Sequence, residues 1–513
     1  MSVTERTENA GLRKDSLGVF AVTFFVVSAA GPLIAMAGGV PVSMLVGNGA
    51  GIPAMFLVVV AILVPFAAGL TAIVPHVKSA GGFYAIAGCG LGGHAAGASA
   101  LIAILSYGLM QLSLFGLFGA AAATFAADRL QLHLPWWTYS IGALLLVGWL
   151  GYRQVDLSAR VLAVLVVGEY LAVLLLDCAV LLHTPQAQFG APFHPSVVMS
   201  GSPWIGLLMC FSAFIGFEAT TIYAEEARNP DRTIPLATYI SLLLIGGFYV
   251  FSSWCMVLAV GTEQLMPTLA GLPDPTAFLF RLAERFVGPW LAFVMHLLFL
   301  TSIFAGILAF HNSEARYLFA MGRERLLPQR MSHTHARHHS PHVASATQTA
   351  LAILLVGVFA MAAVDPIVLF ARASVAGTLG IIALMAIAST AVTWFFRDRP
   401  GNAWRIRVLP LFSTIALFVV MLLTLLTAGT VACWGSGQSG QLGNGTNGIA
   451  TLPVAVSGLT GVSDLGTGAG NTCAIKSGDV WCWGAGTFGE LGNGATASSN
   501  VPVQVSGLTD AEV

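Results

Sequence analysis

The sequence predicts an all-α polytopic membrane protein of about eleven transmembrane helices, arranged as two inverted five-helix repeats. A β-rich tail of one to two incomplete propeller blades follows. Three observations carry this. The 513 residues are 56% hydrophobic and 9% charged, with mean hydropathy +0.82, a composition that belongs in a bilayer. Two apolar segments five helices apart are each interrupted by residues that break helices. Matching interruptions in two halves point to an inverted repeat with a site near the membrane midplane. Near the C-terminus a Gly- and Trp-rich pattern recurs at an offset of 49 residues, the spacing of propeller blades.

The elements follow in order. Residues 1–16 are a charged cytoplasmic leader without a cleavable signal. Helix 1 is expected over Leu17–Leu45 and contains Ser28-Ala29-Ala30-Gly31-Pro32. Pro32 has no N–H and disfavours helix at Gly31, so this helix is broken. Helix 2 is expected over Ile52–Val74, with Pro75–Gly93 a Gly-rich connector. Helices 3, 4 and 5 follow over His94–Ala127, Trp136–Leu150 and Ser158–Leu182. Helix 6 lies in the apolar run Pro203–Ala224, which Gly216 and Glu218 interrupt near its centre. A carboxylate at that depth costs roughly 2.5–3.5 kcal/mol unless it faces a cavity or a partner, and the Gly beside it lets the backbone open. Helix 7 is expected over Ile234–Val260, and Gly261–Gly288 reads as an outer connector. Helices 8 to 11 are expected over Pro289–Met321, Val343–Val364, Pro366–Phe396 and Arg407–Thr427.

An N-terminus in the cytoplasm places 17 of the 22 Lys and Arg residues on the inside, 4 outside, and Arg372 within helix 10 near its outer end, positioned to snorkel. That asymmetry sets the orientation and puts the tail outside. The cluster His333, His335, His338, His339 and His342 sits in this basic loop without Cys or carboxylate neighbours, and reads as a positive-inside loop rather than a metal site. Net charge is -1, which gives no reason to expect nucleic acid. No nucleophile constellation, cofactor loop or metal-ligand spacing stands out, so neither an enzyme nor a cofactor is expected.

Phe214-Ile215-Gly216-Phe217-Glu218-Ala219, then Glu225-Glu226-Ala227-Arg228-Asn229-Pro230, resembles the amino acid–polyamine–organocation permease superfamily. So does Asn312-Ser313-Glu314-Ala315-Arg316-Tyr317-Leu318 in helix 8. The resemblance covers about residues 15–427 and implies a leucine-transporter-type fold for residues 17–427, with cation-coupled uptake of an amino acid or related amine across the plasma membrane. It implies that a substrate carboxylate meets N–H groups around Ser28, Ala29, Ala30 and Gly31, since half-helix N-termini favour anions. A substrate ammonium would meet carbonyls near Ile215, Gly216 and Phe217, beside Glu218. Many relatives place two glycines in helix 1, where this chain has Ala29-Ala30-Gly31. Specificity would come from helices 3, 6 and 10, with Tyr107 and Gln111 one turn apart on helix 3.

For ion coupling, Glu169 in helix 5 and the hydroxyl pair Thr301-Ser302 in helix 8 are the candidates. A desolvated Glu169 suits one proton per cycle, the favoured reading; the same oxygens also suit sodium. Asp177, two turns on, is expected to be solvated. Glu225, Glu226 and Arg228 form a candidate inner gate.

In the tail, Val431-Ala432-Cys433-Trp434-Gly435 recurs as Val480-Trp481-Cys482-Trp483-Gly484, and Gly440-Gln441-Leu442-Gly443-Asn444-Gly445 as Gly489-Glu490-Leu491-Gly492-Asn493-Gly494. These resemble repeats of the regulator-of-chromosome-condensation type. Fewer than two repeats are present across residues 428–513, and shifting Cys473 back by 49 lands on Thr424, inside helix 11. Thr472–Trp483 reads as a hairpin that brings Cys473 opposite Cys482, and outside the cell that pair is expected to form a disulfide. Two alternatives stay open: an inactive fusion or membrane anchor that displays the repeat fragment for protein contacts, and an amino acid exchanger.

Overall fold

The structure is a computed structural model, and it describes residues 18–77, 82–153, 159–184, 188–218, 227–272, 274–334, 341–427, 431–459, 462–476 and 479–508. Helix α1 (Val19–Ala29) stops before Gly31, whose φ of 52° lies in the left-handed region. A π-helical stretch, Ile34–Gly39, then runs into α2 (Val40–Val46). The expected first helix is therefore two half-helices hinged at Gly31-Pro32. Helix α3 (Ile52–Ile73) follows, then α4 (Gly82–Leu91), α5 (Gly93–Leu130), α6 (Trp136–Arg153) and α7 (Ala159–His183).

The second half opens with the short α8 (Pro195–Val198) and then α9 (Pro203–Ser212), which ends in turns through Gly216 at φ 110°. Helix α10 (Pro230–Val260) follows, then α11 (Leu265–Ala270), α12 (Ala277–Phe286), α13 (Pro289–Arg323), α14 (His342–Met361) and α15 (Pro366–Phe395). Helix α16 (Leu409–Thr427) closes the bundle. Among the described residues, eight helices are long and apolar enough to cross a membrane by length and composition. The halves match in plan. Each begins with a broken helix, and each inserts short helices between its second and third long ones: α4 in the first, α11 and α12 in the second.

Those insertions correct the reading of Pro75–Gly93 and Gly261–Gly288 as plain connectors. Helix α4 buries Phe83, Tyr84 and Ile86, and its glycines allow close packing. A Cβ added at Gly90 would stand 2.2 Å from the Ala391 carbonyl oxygen of α15. Helix α12 is amphipathic, with Phe278, Leu279 and Leu282 buried and Arg281, Glu284 and Arg285 exposed. That is the 3.6-residue period of a surface helix. Long helices α5 and α15 pack along each other at the centre, where Ser106, Gly116 and Gly377 keep the backbones close, as small residues do in membrane bundles.

Asp177 is not solvated. It is buried on α7, and its carboxylate accepts a 2.6 Å hydrogen bond from the Ser252 hydroxyl on α10. The apolar-segment cysteines divide: Cys210 and Cys255 are buried, while Cys89 and Cys178 face outward.

The tail contains two antiparallel sheets. Strands β1 (Ala432–Gly435) and β2 (Ala450–Ala455) pair with each other. Strands β3 (Val462–Thr467), β4 (Asn471–Lys476), β5 (Asp479–Gly484) and β6 (Ser499–Gln504) form a four-stranded sheet in sequence order. The pairings Ala432↔Ala455, Cys433↔Val454 and Gly435↔Ala450, moved by 49, become Trp481↔Gln504, Cys482↔Val503 and Gly484↔Ser499. The first repeat thus keeps only the equivalents of β5 and β6. The stretch that would supply its other two strands is α16. Cys473 pairs with Cys482 across β4 and β5, with Cα atoms 4.0 Å apart, and the two form a disulfide. Cys433 is a free thiol.

Two outcomes are expected. Replacing Ser252 by Ala leaves the Asp177 carboxylate buried without its donor, and should cost about 1–3 kcal/mol, read as a lower melting temperature in detergent. Thiol counting on the denatured, unreduced protein should find five reactive cysteines, and seven after reduction.

Candidate functional site

The two breaks lie together. Ser28 and Ala29 close α1, and the Ala30 N–H bonds back to the Val26 carbonyl at 3.1 Å. The Ala30 carbonyl accepts a 3.1 Å bond from the Tyr249 hydroxyl on α10. Pro32 removes a donor at the bend, and the next N–H, that of Leu33, donates to Glu169 Oε2 at 3.2 Å. The same oxygen accepts the Ser302 hydroxyl of α13 at 2.9 Å. Glu169 is 2% exposed. One carboxylate of α7 therefore ties the start of the second half-helix to α13. Its carboxylate faces the positive end of that half-helix, a favourable placement for an anion.

At the second break, the Glu218 carboxylate turns back onto its own backbone. It accepts the Gly216 N–H at 2.9 Å through Oε2 and the Tyr107 hydroxyl of α5 at 2.9 Å through Oε1. Phe214 packs on Tyr249, ring centroids 5.6 Å apart, and on Phe56 of α3 at 6.2 Å. Tyr249 thus touches one break with its hydroxyl and the other with its ring. A narrow cleft beside this junction is lined by Phe214, Ile215, Phe217 and Glu218, with Thr378 and Met385 from α15. Such a junction can present backbone donors, a carboxylate and aromatic walls to a small polar solute. In the structure the chain's own groups hold the Ala30, Leu33 and Gly216 N–H groups.

The remaining sequence-derived candidates divide. Ser302 joins Glu169, but Thr301 points outward and bonds the Leu298 carbonyl at 2.9 Å. Neighbouring residues on a helix stand about 100° apart, so the hydroxyl pair does not act as a pair here. Tyr107 reaches Glu218, whereas Gln111 leaves the junction. Its Oε1 accepts Gln348 Nε2 of α14 at 2.7 Å, and its Nε2 donates to the Ile307 carbonyl at 3.4 Å. Glu225 and Glu226 lie outside the described residues, as do His335, His338 and His339. Arg228 is described, and its carbonyl accepts the Thr233 hydroxyl. Ala227, one residue before it, packs with Val22, Ile234 and Ala237 where α1 meets α10.

Sequence reasoning missed Tyr249 and a buried polar cluster on α13 and α14. Glu314 hydrogen-bonds the Gln348 amide, and His311 Nε2 lies 2.9 Å from the Ser345 hydroxyl. Glu314 and His311 were visible in the sequence as polar residues in an apolar run, which was the available signal.

The chain matches the Amino acid permease family over residues 17–456, past Thr427 and through β2, and a Regulator of chromosome condensation (RCC1) repeat over residues 477–513. It is 28% identical over 199 residues to the branched-chain amino acid permease BcaP of Bacillus subtilis, covering 39% of this chain and 41% of that one. It is 32% identical over 154 residues to the human (Homo sapiens) cationic amino acid transporter 4, covering 29% of this chain and 22% of that one. The chain thus spans less than half the length of these relatives. In structure it resembles MhsT, solved in complex with L-phenylalanine, with TM-score 0.53 and 14% identity over 80% of this chain and 100% of that one. It also resembles the Eremococcus coleocola manganese transporter, with TM-score 0.51 and 14% identity over 83% of this chain and 90% of that one. The fold is that of the leucine-transporter-type carriers, and the family match spans most of the chain. The protein belongs to the amino acid permease family.

Proposed function

We propose that the chain is a secondary transporter that moves an amino acid or related amine across the plasma membrane by alternating access. The observation that carries this is the meeting of the two helix breaks at Gly31 and Gly216, bridged by Tyr249 and flanked by Glu169 and Glu218. Broken helices at matching positions of two repeats are where such carriers bind their solute. The family match supports the solute class. In the bound state the substrate carboxylate takes the N–H groups around Ala29, Ala30 and Gly31, and the ammonium takes carbonyls near Ile215–Phe217 together with Glu218.

With the eleven crossings that the apolar runs suggest, the distribution of Lys and Arg supports an inside N-terminus and an outside tail. Glu169 is the coupling residue in this reading, and a proton is the coupling ion. It is a buried carboxylate that touches both the moving half-helix and α13, so its protonation state alters how strongly the two are tied. Glu225, Glu226 and Arg228 serve as the inner gate.

The test is uptake of a radiolabelled amino acid mixture into proteoliposomes under an imposed proton or sodium gradient, comparing wild type with Glu169→Gln. The expected result is uptake driven by the proton gradient in wild type and lost in the variant. Equal uptake in both removes Glu169 from coupling. No uptake under either gradient removes the transport reading.

A further inference from the structure

Four arginines, Arg397, Arg399, Arg405 and Arg407, fall in the short connector between α15 and α16. Asp398 is the one carboxylate among them, so the stretch carries four positive charges against one negative. Apolar spans run up to it on both sides, Pro366–Phe395 and Trp404–Leu425. The connector therefore lies at a bilayer surface, whichever way the chain is oriented.

The contacts of this segment hold it in one shape. Arg397 lies over the Trp394 ring at 4.0 Å and Arg399 over the Phe395 ring at 3.6 Å, within cation–π reach. Arg407 closes the loop. Its Nε donates to the Phe396 carbonyl at 3.2 Å and its Nη2 to the Arg399 carbonyl at 2.9 Å. Arg405 Nη2 donates to the Thr71 hydroxyl of α3 at 3.5 Å. His76, just past α3, packs on Phe395 and Phe396 with ring centroids 5.2 and 5.4 Å away, so α3 backs the connector. Part of the ordering that a ligand would have to impose is already in place.

The four arginines are not equally committed. Arg397 pairs with Asp398 at 2.8 Å, and Arg407 is occupied by two carbonyls. Arg399 and Arg405 are exposed, and their forked donors suit the oxygens of a phosphate. Beside them Trp394 and Trp404 are 55% and 68% exposed, and such rings favour headgroup depth. Further along α16, Leu411, Phe412, Ile415 and Phe418 are exposed at the spacing of one helix face. Guanidinium groups at the head of an apolar stripe match a molecule with a phosphate at one end and hydrocarbon at the other. A free phosphate has no use for the stripe.

We propose that the α15–α16 connector is a binding site for an anionic phospholipid, with Arg399 and Arg405 holding its phosphate and an acyl chain laid along the exposed face of α16. Basic clusters at the ends of membrane helices recognise anionic headgroups in this way.

The test titrates phosphatidylglycerol or phosphatidylcholine into the full-length protein in detergent and reads lipid-bound and lipid-free protein by native mass spectrometry. Wild type should bind phosphatidylglycerol more tightly than phosphatidylcholine. Each Arg at such a surface is worth about fivefold in affinity, so Arg399→Gln with Arg405→Gln should weaken phosphatidylglycerol binding about thirtyfold. Replacing both by Lys keeps the charge and should bind more tightly than the Gln pair. Arg281→Gln with Arg285→Gln removes the same charge from α12 and should leave the affinity unchanged. Equal affinity of wild type for both lipids would overturn the proposal. So would a Gln pair that binds as wild type does, an α12 pair that loses as much, or displacement of the lipid by equimolar inorganic phosphate. Arg407 stays in place because its bonds hold the connector, and the comparison of two lipids on wild type decides the matter even where the Gln pair does not fold.

Discussion

One carboxylate oxygen fixes the geometry of the permease half. Glu169 Oε2 accepts both the Leu33 N–H and the Ser302 hydroxyl, so three helices converge on an atom buried at bilayer depth. A carboxylate there must be satisfied, and a helix broken at Gly31-Pro32 must satisfy the donors it frees. Each requirement answers the other. Tyr249 extends the arrangement, its hydroxyl on the Ala30 carbonyl and its ring on Phe214. The second break solves the same problem locally, with Glu218 folding onto the Gly216 N–H and taking the Tyr107 hydroxyl. These groups are pre-positioned donors and acceptors, and a solute that engages them exchanges with bonds the chain already makes. In the proposed transport cycle, that exchange is what would couple occupancy to movement of the half-helices.

Much of this was legible in the sequence, for reasons that separate the successes from the failures. Gly31-Pro32 and Gly216 with Glu218 stand out because Gly, Pro and a carboxylate are costly inside apolar runs, and so mark the breaks by themselves. Glu169 is visible on the same grounds. What one dimension does not contain is which helix faces which. Asp177 reads as a solvated carboxylate when depth is counted along α7, and only the crossing of α10 brings Ser252 to it. Tyr107 and Gln111 share a face of α5, yet the turn after α9 meets one and α14 the other, so the single site that the sequence suggests is two clusters. Thr301 and Ser302 read as a pair because they are adjacent, although adjacency on a helix separates side chains. Helix α4 was hidden by its glycines, which look like a loop signal and in fact bring the helix against α15.

The tail shows the same logic with a different period. A shift of 49 reproduces the register of β1 and β2 in β5 and β6 residue for residue. The recurring Gly, Trp, Cys, Leu and Asn positions make the repeat legible in the sequence. That α16 takes the place of the first repeat's other two strands explains why Cys433 is a free thiol while Cys482 has Cys473, and why Trp434 is open while Trp483 is covered.

The proposed function requires that the paired breaks form a binding site for an amino acid or amine. It is tested most directly by ligand-dependent thermal stability of the purified full-length protein, titrated with each amino acid and with simple amines, in wild type and in Glu218→Gln. Saturating ligand at a hundredfold over its dissociation constant adds about 2.7 kcal/mol of stability, a readable rise in melting temperature. At least one compound should give such a saturable rise, and Glu218→Gln should require a concentration about tenfold higher, the equivalent of about 1.4 kcal/mol. A protein that no compound stabilises, or one stabilised equally with and without the Glu218 carboxylate, would contradict it.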